Sequence, residues 1–123
     1  MGQYNSQTKP FSRSDRVGGQ VQKHLAELLR KQISDPRLEQ VTITGVKLSP
    51  DLRIAKIYYS VPSGAEAAPA AQEGFQSAYK FIKRELAQRL GLRYMPDLKF
   101  FFDKSIDYGA RIERLLDEIK KES

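Results

Sequence analysis

The spacing of the apolar residues changes several times along this 123-residue chain, and these changes constrain its fold more than any other feature. Between Val17 and Ile33 the apolar residues recur every three or four positions, which predicts an amphipathic helix. Between Val41 and Val61, β-branched residues and a two-residue alternation predict two strands that pair as an antiparallel hairpin around Ser49-Pro50-Asp51. Helical spacing returns between Phe75 and Leu90. The chain therefore combines helices and strands.

The boundaries of the first elements are marked by residues with strong backbone preferences. The first helix should start near Ser14 or Asp15, because either side chain can accept the free N–H groups of a first turn. Asp35-Pro36 should end it, since proline lacks an N–H and restricts the residue before it. In the first strand the apolar phase slips by one residue at Gly45, which predicts a β-bulge.

The later segments complete the order of elements. Pro62 to Ala71 is rich in alanine, proline, glycine and serine, and is predicted to be a flexible connection. Gly91 should end the second helix, and a third strand is predicted from Leu98 to Phe102. Asp103 to Asp107 should form a turn that caps a last helix. The apolar positions of that helix are Tyr108, Ile112, Leu115, Leu116 and Ile119.

The order helix, strand, strand, helix, strand, helix predicts an α+β domain in which helices cover one face of a three-stranded sheet. Residues 1–12 are predicted to be a flexible tail that lacks the apolar core of a secretory signal, and residues 13–121 a single domain. The uncovered sheet face would carry Lys56 and Tyr58.

The composition argues against several classes of chemistry. The absence of cysteine excludes disulfides, thiolate metal sites and a cysteine nucleophile, and fits a reducing cytoplasm. The apolar runs are too short to span a membrane. The single histidine, His24, is predicted to be an ordinary residue at the edge of the first helix's apolar stripe. The sequence contains no phosphate-binding glycine loop and no metal-ligand spacing, so we expect a non-enzyme without cofactor, metal or small-molecule substrate.

The positive charge is concentrated in one part of the chain. The formal net charge is +6, and residues 76–93 hold five cations and one acid. Lys80, Lys83 and Arg84 share one helix face, an arrangement that suits phosphate contacts and predicts salt-sensitive binding. A solvated basic face is the alternative. Arg13 and Arg16 add a basic arm that could follow a nucleic-acid backbone or merely aid solubility.

Several short motifs occur in a specific order and spacing between Arg13 and Leu116. They are Asp35-Pro36-Arg37-Leu38, Val46-Lys47-Leu48-Ser49-Pro50-Asp51-Leu52, Ala55-Lys56-Ile57-Tyr58-Tyr59-Ser60, Phe81-Ile82-Lys83-Arg84, Pro96-Asp97-Leu98-Lys99-Phe100 and Phe102-Asp103-Lys104-Ser105. Each motif alone is common, but together they resemble the ribosome-binding factor A family.

The resemblance implies a type II KH-like fold, with a mixed three-stranded sheet packed against helices. It also implies a protein that binds the free small ribosomal subunit and its rRNA late in maturation. Processing of the rRNA 5′ end, growth in the cold and maturation GTPases that act with the factor are further implications. A cytoplasmic location is expected from the lack of cysteine, and a monomer is the default expectation because no exposed apolar stripe demands a partner. The Gly-x-x-Gly loop of ordinary KH domains is absent from this sequence.

One position departs from the family pattern. The family has an Ala-x-Gly kink in its second helix, and the matching residues here are Ala78-Tyr79-Lys80. Lysine is a good helix former. Our hypothesis is that the helix is straighter here, or kinks without glycine, and that Lys80 adds a phosphate contact.

Basic side chains are the predicted RNA-binding residues of this chain. They are Arg13, Arg16, Lys80, Lys83, Arg84 and Arg93, with Arg37 and Lys104 as further candidates. Two alternatives stay open: a protein–protein adaptor that docks through the sheet face at Lys56 and Tyr58 or through the last helix, and an enzyme that acts on RNA.

Overall fold

The computed structural model describes residues 12–104 together with Leu115, Leu116 and Ile119. The main elements are α1 (Arg13–Lys31), β1 (Thr42–Leu48), β2 (Ile54–Ser60), α2 (Ala68–Leu90) and β3 (Asp97–Phe102), with short 3-10 helices at Pro36–Leu38 and Gly64–Ala67. The predicted tail, apart from Ser12, and most of the predicted last helix, including Tyr108 and Ile112, lie outside the described residues.

A capping box begins α1. The Ser12 hydroxyl accepts a hydrogen bond from the Asp15 backbone N–H (3.2 Å), and the Asp15 carboxylate accepts one from the Ser12 backbone N–H (3.4 Å). Two free N–H groups are thereby satisfied by one reciprocal pair. The helix starts at Arg13, close to the predicted position, but the predicted capping residues were wrong, because Ser12 and not Ser14 or Asp15 is the N-cap. Ser12 therefore belongs to the helix and not to the predicted tail.

The chain between α1 and β1 also differs from the prediction. The helix ends at Lys31 with Gln32 as its C-cap, a few residues before the predicted stop. Asp35 instead caps the 3-10 helix Pro36–Leu38, because its side chain accepts a hydrogen bond from the Arg37 backbone N–H. The Asp-Pro pair thus begins a short helix, and proline's fixed φ favours that first position.

The sheet has the order β1-β2-β3. β1 and β2 are antiparallel, whereas β2 and β3 are parallel, so the sheet is mixed as expected. The parallel pair requires a crossover, which α2 supplies. The predicted hairpin is confirmed, and so is the predicted bulge, since the register shifts between Ile43 and Gly45.

Both long helices pack on one face of the sheet, and the apolar stripes meet there. Tyr59 and Phe75 are the largest fully buried side chains. The Phe75 ring stacks on that of Phe100 with centroids 4.1 Å apart. The other buried apolar residues are Val17, Val21, Leu25, Leu28, Leu29, Leu38, Ile43, Ala55, Ile57, Ala71, Ile82, Leu86 and Leu98.

Side chains of α2 also form hydrogen bonds with backbone groups on the free edge of β3. The Gln72 side-chain amide donates to the Phe100 carbonyl (2.7 Å), and the Tyr79 hydroxyl accepts from the Leu98 backbone N–H (3.1 Å). An exposed strand edge would otherwise invite pairing with another chain. The position of α2 along this edge fixes which of its faces is left in contact with solvent.

The predicted flexible connection from Pro62 to Ala71 was wrong. It contains the 3-10 helix Gly64–Ala67, and α2 already begins at Ala68. Alanine has the highest helix propensity, and a proline in the first turn removes only an N–H that has no partner within the helix. Ala71 is fully buried, so this first turn is held by the core.

The predicted end of α2 is confirmed, because Gly91 is its C-cap in the left-handed conformation (φ 63°). The helix continues without interruption through Ala78-Tyr79-Lys80. Leu52 is the only non-glycine residue with positive φ in the described part of the chain. Lys80 is exposed. The hypothesis of a helix that needs no glycine at this position therefore stands.

Candidate nucleic-acid interface

The cations of α2 lie on the side that faces away from the core. Phe75, Ile82 and Leu86 bury the opposite side against the sheet. Lys80 and Arg84 are therefore exposed. This arrangement leaves a basic helix surface with long side chains of the kind that contact phosphates.

Lys83 lies on the same helix face but already has partners. Its ammonium group is 3.3 Å from the Asp97 carboxylate, in a pair whose side chains are 33% and 70% exposed. It also lies 5.7 Å from the centre of the Tyr79 ring. A pair this exposed contributes little to stability, so a phosphate oxygen could replace the carboxylate at small cost.

A cleft of about 720 Å³ lies close to this helix face and is assembled from three distant segments. Arg13 enters it from the start of α1, Arg53 from the hairpin turn and Arg93 from the loop after α2. The Asp97 backbone N–H donates to the Arg53 carbonyl (2.8 Å), which ties the turn to the start of β3. The remaining lining residues are Asp51, Leu52, Leu92, Tyr94, Met95 and Asp97.

Tyr94 gives the cleft an accessible aromatic surface. Its side chain is 77% exposed, and the Arg93 guanidinium carbon lies 5.6 Å from its ring centre. An aromatic ring next to a guanidinium can stack on an unpaired base while the cation contacts the adjacent phosphate. Arg84 lies at the same distance, 5.6 Å, from the Phe81 ring.

Acidic side chains limit the positive charge of the cleft. Asp51 accepts hydrogen bonds from the Ser49 hydroxyl (2.7 Å) and the Arg53 backbone N–H (3.1 Å). These bonds, the hydroxyl first, lower the pKa of Asp51 below its ordinary value and keep the side chain ionised. Asp97 is the second acid in the cleft, and Lys83 offsets its charge.

Arg37 is occupied by protein partners. Its guanidinium binds both carboxylate oxygens of Asp35, at 3.0 and 2.7 Å, and reaches the Ser77 hydroxyl at 3.3 Å. Glu73 lies 3.9 Å away. The contacts with Ser77 and Glu73 link Arg37 to α2, which indicates a structural role for this candidate.

The predicted site residues thus fall into separate groups. Arg13 and Arg93 line the cleft, and Lys83 adjoins it through Asp97. Lys80 and Arg84 lie on α2 beside Lys83. Three further candidates do not line the cleft: Arg16 on the first turn of α1, Arg37, and Lys104 just after β3, all of them exposed.

Arg53 is a cleft residue that the sequence prediction missed. It follows the hairpin turn and approaches the other arginines only because β2 and β3 begin side by side, with Ile54 paired to Asp97. No local sequence pattern places Arg53 near the other cleft arginines. The parallel strand pair of the mixed sheet, which the family resemblance implies, could have indicated that proximity.

His24 lies half-buried at the edge of the α1 stripe, and its Nδ1 has no hydrogen-bond partner among the described residues. Within residues 12–104 no group of three or more His, Cys, Asp or Glu side chains is placed to hold a metal ion. No helix of the described part of the chain has the length and apolar character needed to cross a membrane.

Comparison with known families and curated proteins gives one consistent result. The model of a family described as ribosome-binding factor A matches residues 13–116. The ribosome-binding factor A of Desulfatibacillum aliphaticivorans is 56% identical over 111 residues, which cover 90% of each chain. That of Desulfosudis oleivorans is 47% identical over 114 residues, which cover 93% of this chain and 88% of the other.

Solved structures are similar over about three quarters of the chain. The crystal structure of ribosome-binding factor A from Thermus thermophilus matches with a TM-score of 0.64 and 27% identity, covering 72% of this chain and 93% of that one. A solution structure from Thermotoga maritima, described as a candidate ribosome binding factor A, matches with a TM-score of 0.67 and 33% identity, covering 76% and 89%. The expected KH-like α+β fold is thereby confirmed.

A third match is a homology model of a relative. It represents the Thermus thermophilus ribosome binding factor A as fitted into the cryo-EM map of a complex with 30S. It matches this chain with a TM-score of 0.62 and 26% identity, covering 76% of this chain and 97% of that one.

Proposed function

This chain belongs to the ribosome-binding factor A family, and from that membership we propose that it binds the small ribosomal subunit through its rRNA. The observation that carries the proposal is the family match over residues 13–116. A homology model of a relative, fitted into the cryo-EM map of a 30S complex, supports it. The contribution of this chain would come from its own basic surface.

The mode of binding that we propose is electrostatic and makes or breaks no covalent bond. Lys80, Lys83 and Arg84 would contact phosphates along one helix face, while Arg13 and Arg93 would hold an RNA segment in the cleft. Each neutralised phosphate releases counterions, so affinity should fall steeply as salt rises. Tyr94 would stack on an unpaired base there.

The finer role follows from the resemblance. We propose that the protein assists late maturation of the small subunit and processing of the rRNA 5′ end, and supports growth in the cold. It would act as a monomer in the cytoplasm, together with or released by maturation GTPases. Binding that leaves the RNA chemically unchanged is sufficient for such a role.

Co-sedimentation tests this proposal. The purified protein is mixed with isolated small subunits, whole ribosomes or free RNA at low and moderate salt. We expect selective, salt-sensitive pelleting with free small subunits. Equal pelleting with any RNA would show that the protein binds RNA without selectivity for small subunits. Salt-insensitive binding would favour the adaptor alternative.

A charge reversal locates the contact. Lys83→Glu combined with Arg84→Glu should greatly reduce pelleting with small subunits and leave the fold intact, since both side chains are accessible to solvent. Lys23→Glu with Lys31→Glu changes the charge equally at exposed positions of α1 and serves as the control. Equal losses for both pairs would show that only net charge matters and would overturn the assignment to α2.

A further inference from the structure

The sheet face opposite the helices carries a row of three lysines. Lys56 in the central strand pairs with Lys47 of β1 on one side and with Lys99 of β3 on the other. All three side chains are exposed. Because neighbouring strands lie about 4.8 Å apart, the three lysines stand side by side across the sheet.

This row places like charges next to each other without an acidic partner in the described part of the chain. Like charges directly opposite each other on a sheet are destabilising. None of the three lysines forms an ion pair with a described residue, whereas Lys83 and Arg37 do. An arrangement of this kind gains free energy when an anion with several charges binds across it.

The next row of the same face is aromatic. Tyr58 pairs with Phe101, and their ring centres lie 5.7 Å apart with an angle of 30° between the planes. Phe101 is 40% exposed. On the other side Tyr58 pairs with Gly45, where a Cβ would meet no atom within 4 Å outside the residues next to it in the chain. Tyr58 therefore has no cross-strand side chain on that side.

A shallow depression of about 450 Å³ joins the two rows. Lys47, Lys56 and Tyr58 line it together with Leu48, Ser49 and Ile54. Cations and an aromatic ring thus border one concave surface. Phosphate and base contacts alternate along a single strand of nucleic acid, and these two kinds of side chain match that alternation.

We propose that this open sheet face is a second nucleic-acid surface, which binds an unpaired RNA segment with phosphates along Lys47, Lys56 and Lys99 and a base on Tyr58 and Phe101. It lies on the other side of the sheet from α1 and α2, so both surfaces can be occupied at once. Only the choice of RNA as the nucleic acid rests on the proposed function.

The face fits single strands better than duplexes. In A-form RNA the bases are stacked inside the helix, and the accessible features are the 2′-hydroxyls and phosphates. Tyr58 and Phe101 would have no base to contact there. Specific protein interfaces, in contrast, are depleted of lysine at their centre, and Lys56 lies in the middle of this face.

Binding of a short unpaired oligonucleotide, measured at several salt concentrations, tests the lysine row. Each phosphate contact on a single strand contributes about 0.7 to the slope of log affinity against log salt. The triple variant Lys47→Gln, Lys56→Gln, Lys99→Gln should therefore lower this slope by about 2. The matched control Lys23→Gln, Arg30→Gln, Lys31→Gln removes three exposed cations of α1 and should leave the slope unchanged. An unchanged slope in the sheet variant would overturn the proposal.

Ring resonances report the aromatic contact directly. In aromatic NMR spectra the oligonucleotide should shift the signals of Tyr58 and Phe101, while a duplex of equal length should leave them in place. Phe101→Leu should weaken oligonucleotide binding at least about fivefold, the lower end of what base stacking contributes. Unshifted rings in a complex that binds with full affinity would contradict the stacking role.

Two outcomes separate this surface from the α2 face. If the α2 charge reversal abolishes binding to small subunits while the sheet variants leave oligonucleotide affinity unchanged, this inference fails and the proposed function stands. If the sheet variants weaken oligonucleotide binding but the chain does not pellet with small subunits, this inference stands and the proposed function fails. Sheet variants that lose binding to small subunits but keep full oligonucleotide affinity would assign this face to another component of the subunit and overturn its role as a surface for unpaired RNA.

Discussion

Gly74 is required by packing, whereas Gly19 is not, although both lie within helices. A Cβ on Gly74 would lie 2.9 Å from the Cγ and 3.0 Å from the Cδ2 of Leu38, which is fully buried. A Cβ on Gly19 meets nothing within 4 Å. The glycine in α2 therefore allows the Pro36–Leu38 segment to approach the helix closely.

Alanine substitutions should separate these two situations. Gly19→Ala should raise the free energy of unfolding by about 1 kcal/mol through helix propensity. Gly74→Ala gains the same propensity but overpacks against Leu38, so it should be less stable than Gly19→Ala by about 1–3 kcal/mol. Urea unfolding of the two variants measures the difference, and equal stabilities would show that Leu38 moves aside freely.

Asp35 should titrate abnormally because of Arg37. Hydrogen bonds from the Arg37 side chain and backbone lower the pKa of Asp35 below its ordinary value. A depressed folded-state pKa contributes stability that is complete above the unfolded value and is lost as pH falls through the lower folded value. In an NMR titration Arg37→Gln should raise the pKa of Asp35 back towards its ordinary value.

Asp51 supplies the control within the same spectra. Its pKa is also lowered, but by Ser49 and by the Arg53 backbone, so Arg37→Gln should not change it. If both carboxyl groups shifted together, a general change in net charge and not the Asp35–Arg37 pair would be responsible.

At the scale of elements, individual residues and the apolar pattern predicted strand and helix features better than the composition of a segment did. The bulge at Gly45 followed from a phase change in the apolar pattern, and the end of α2 from a glycine. The prediction misses the start of α2 because the alanine and proline content between Pro62 and Ala71 is also typical of a linker. Burial of Ala71 in the core decides the structure there, and core contacts cannot be deduced from local composition.

The continuous α2 helix depends on Lys80 being a good helix former. Lys80→Gly, which introduces the residue usual in the family, should lower the free energy of unfolding by about 1 kcal/mol and speed amide exchange around this position. Lys80→Gln removes the same charge but keeps the helix propensity, so it should leave exchange unchanged. Both variants should lose RNA affinity equally if Lys80 acts only through its charge.

At the scale of the whole molecule, the sequence indicated the basic helix but only part of the cleft. Lys80, Lys83 and Arg84 are close in sequence, so helical spacing alone places them together. In the sequence Arg13 and Arg93 are separate cations, and no local pattern shows that they share a cleft with Arg53. That proximity arises from the parallel pairing of β2 and β3, which is a property of the complete fold.

The cleft should bind RNA as one unit, which makes Arg53 as important as Arg93. Arg53→Gln and Arg93→Gln should each reduce the slope of log affinity for small subunits against log salt by about 1, the effect of losing one phosphate contact. Arg30→Gln removes an exposed cation of α1 away from the cleft and should leave the slope unchanged. A reduced slope with Arg93→Gln alone would mean that the loop after α2 contacts RNA by itself. Equal reductions of the slope with Arg53→Gln and Arg93→Gln would mean that the binding site depends on the complete fold, because these two positions come together only through the sheet.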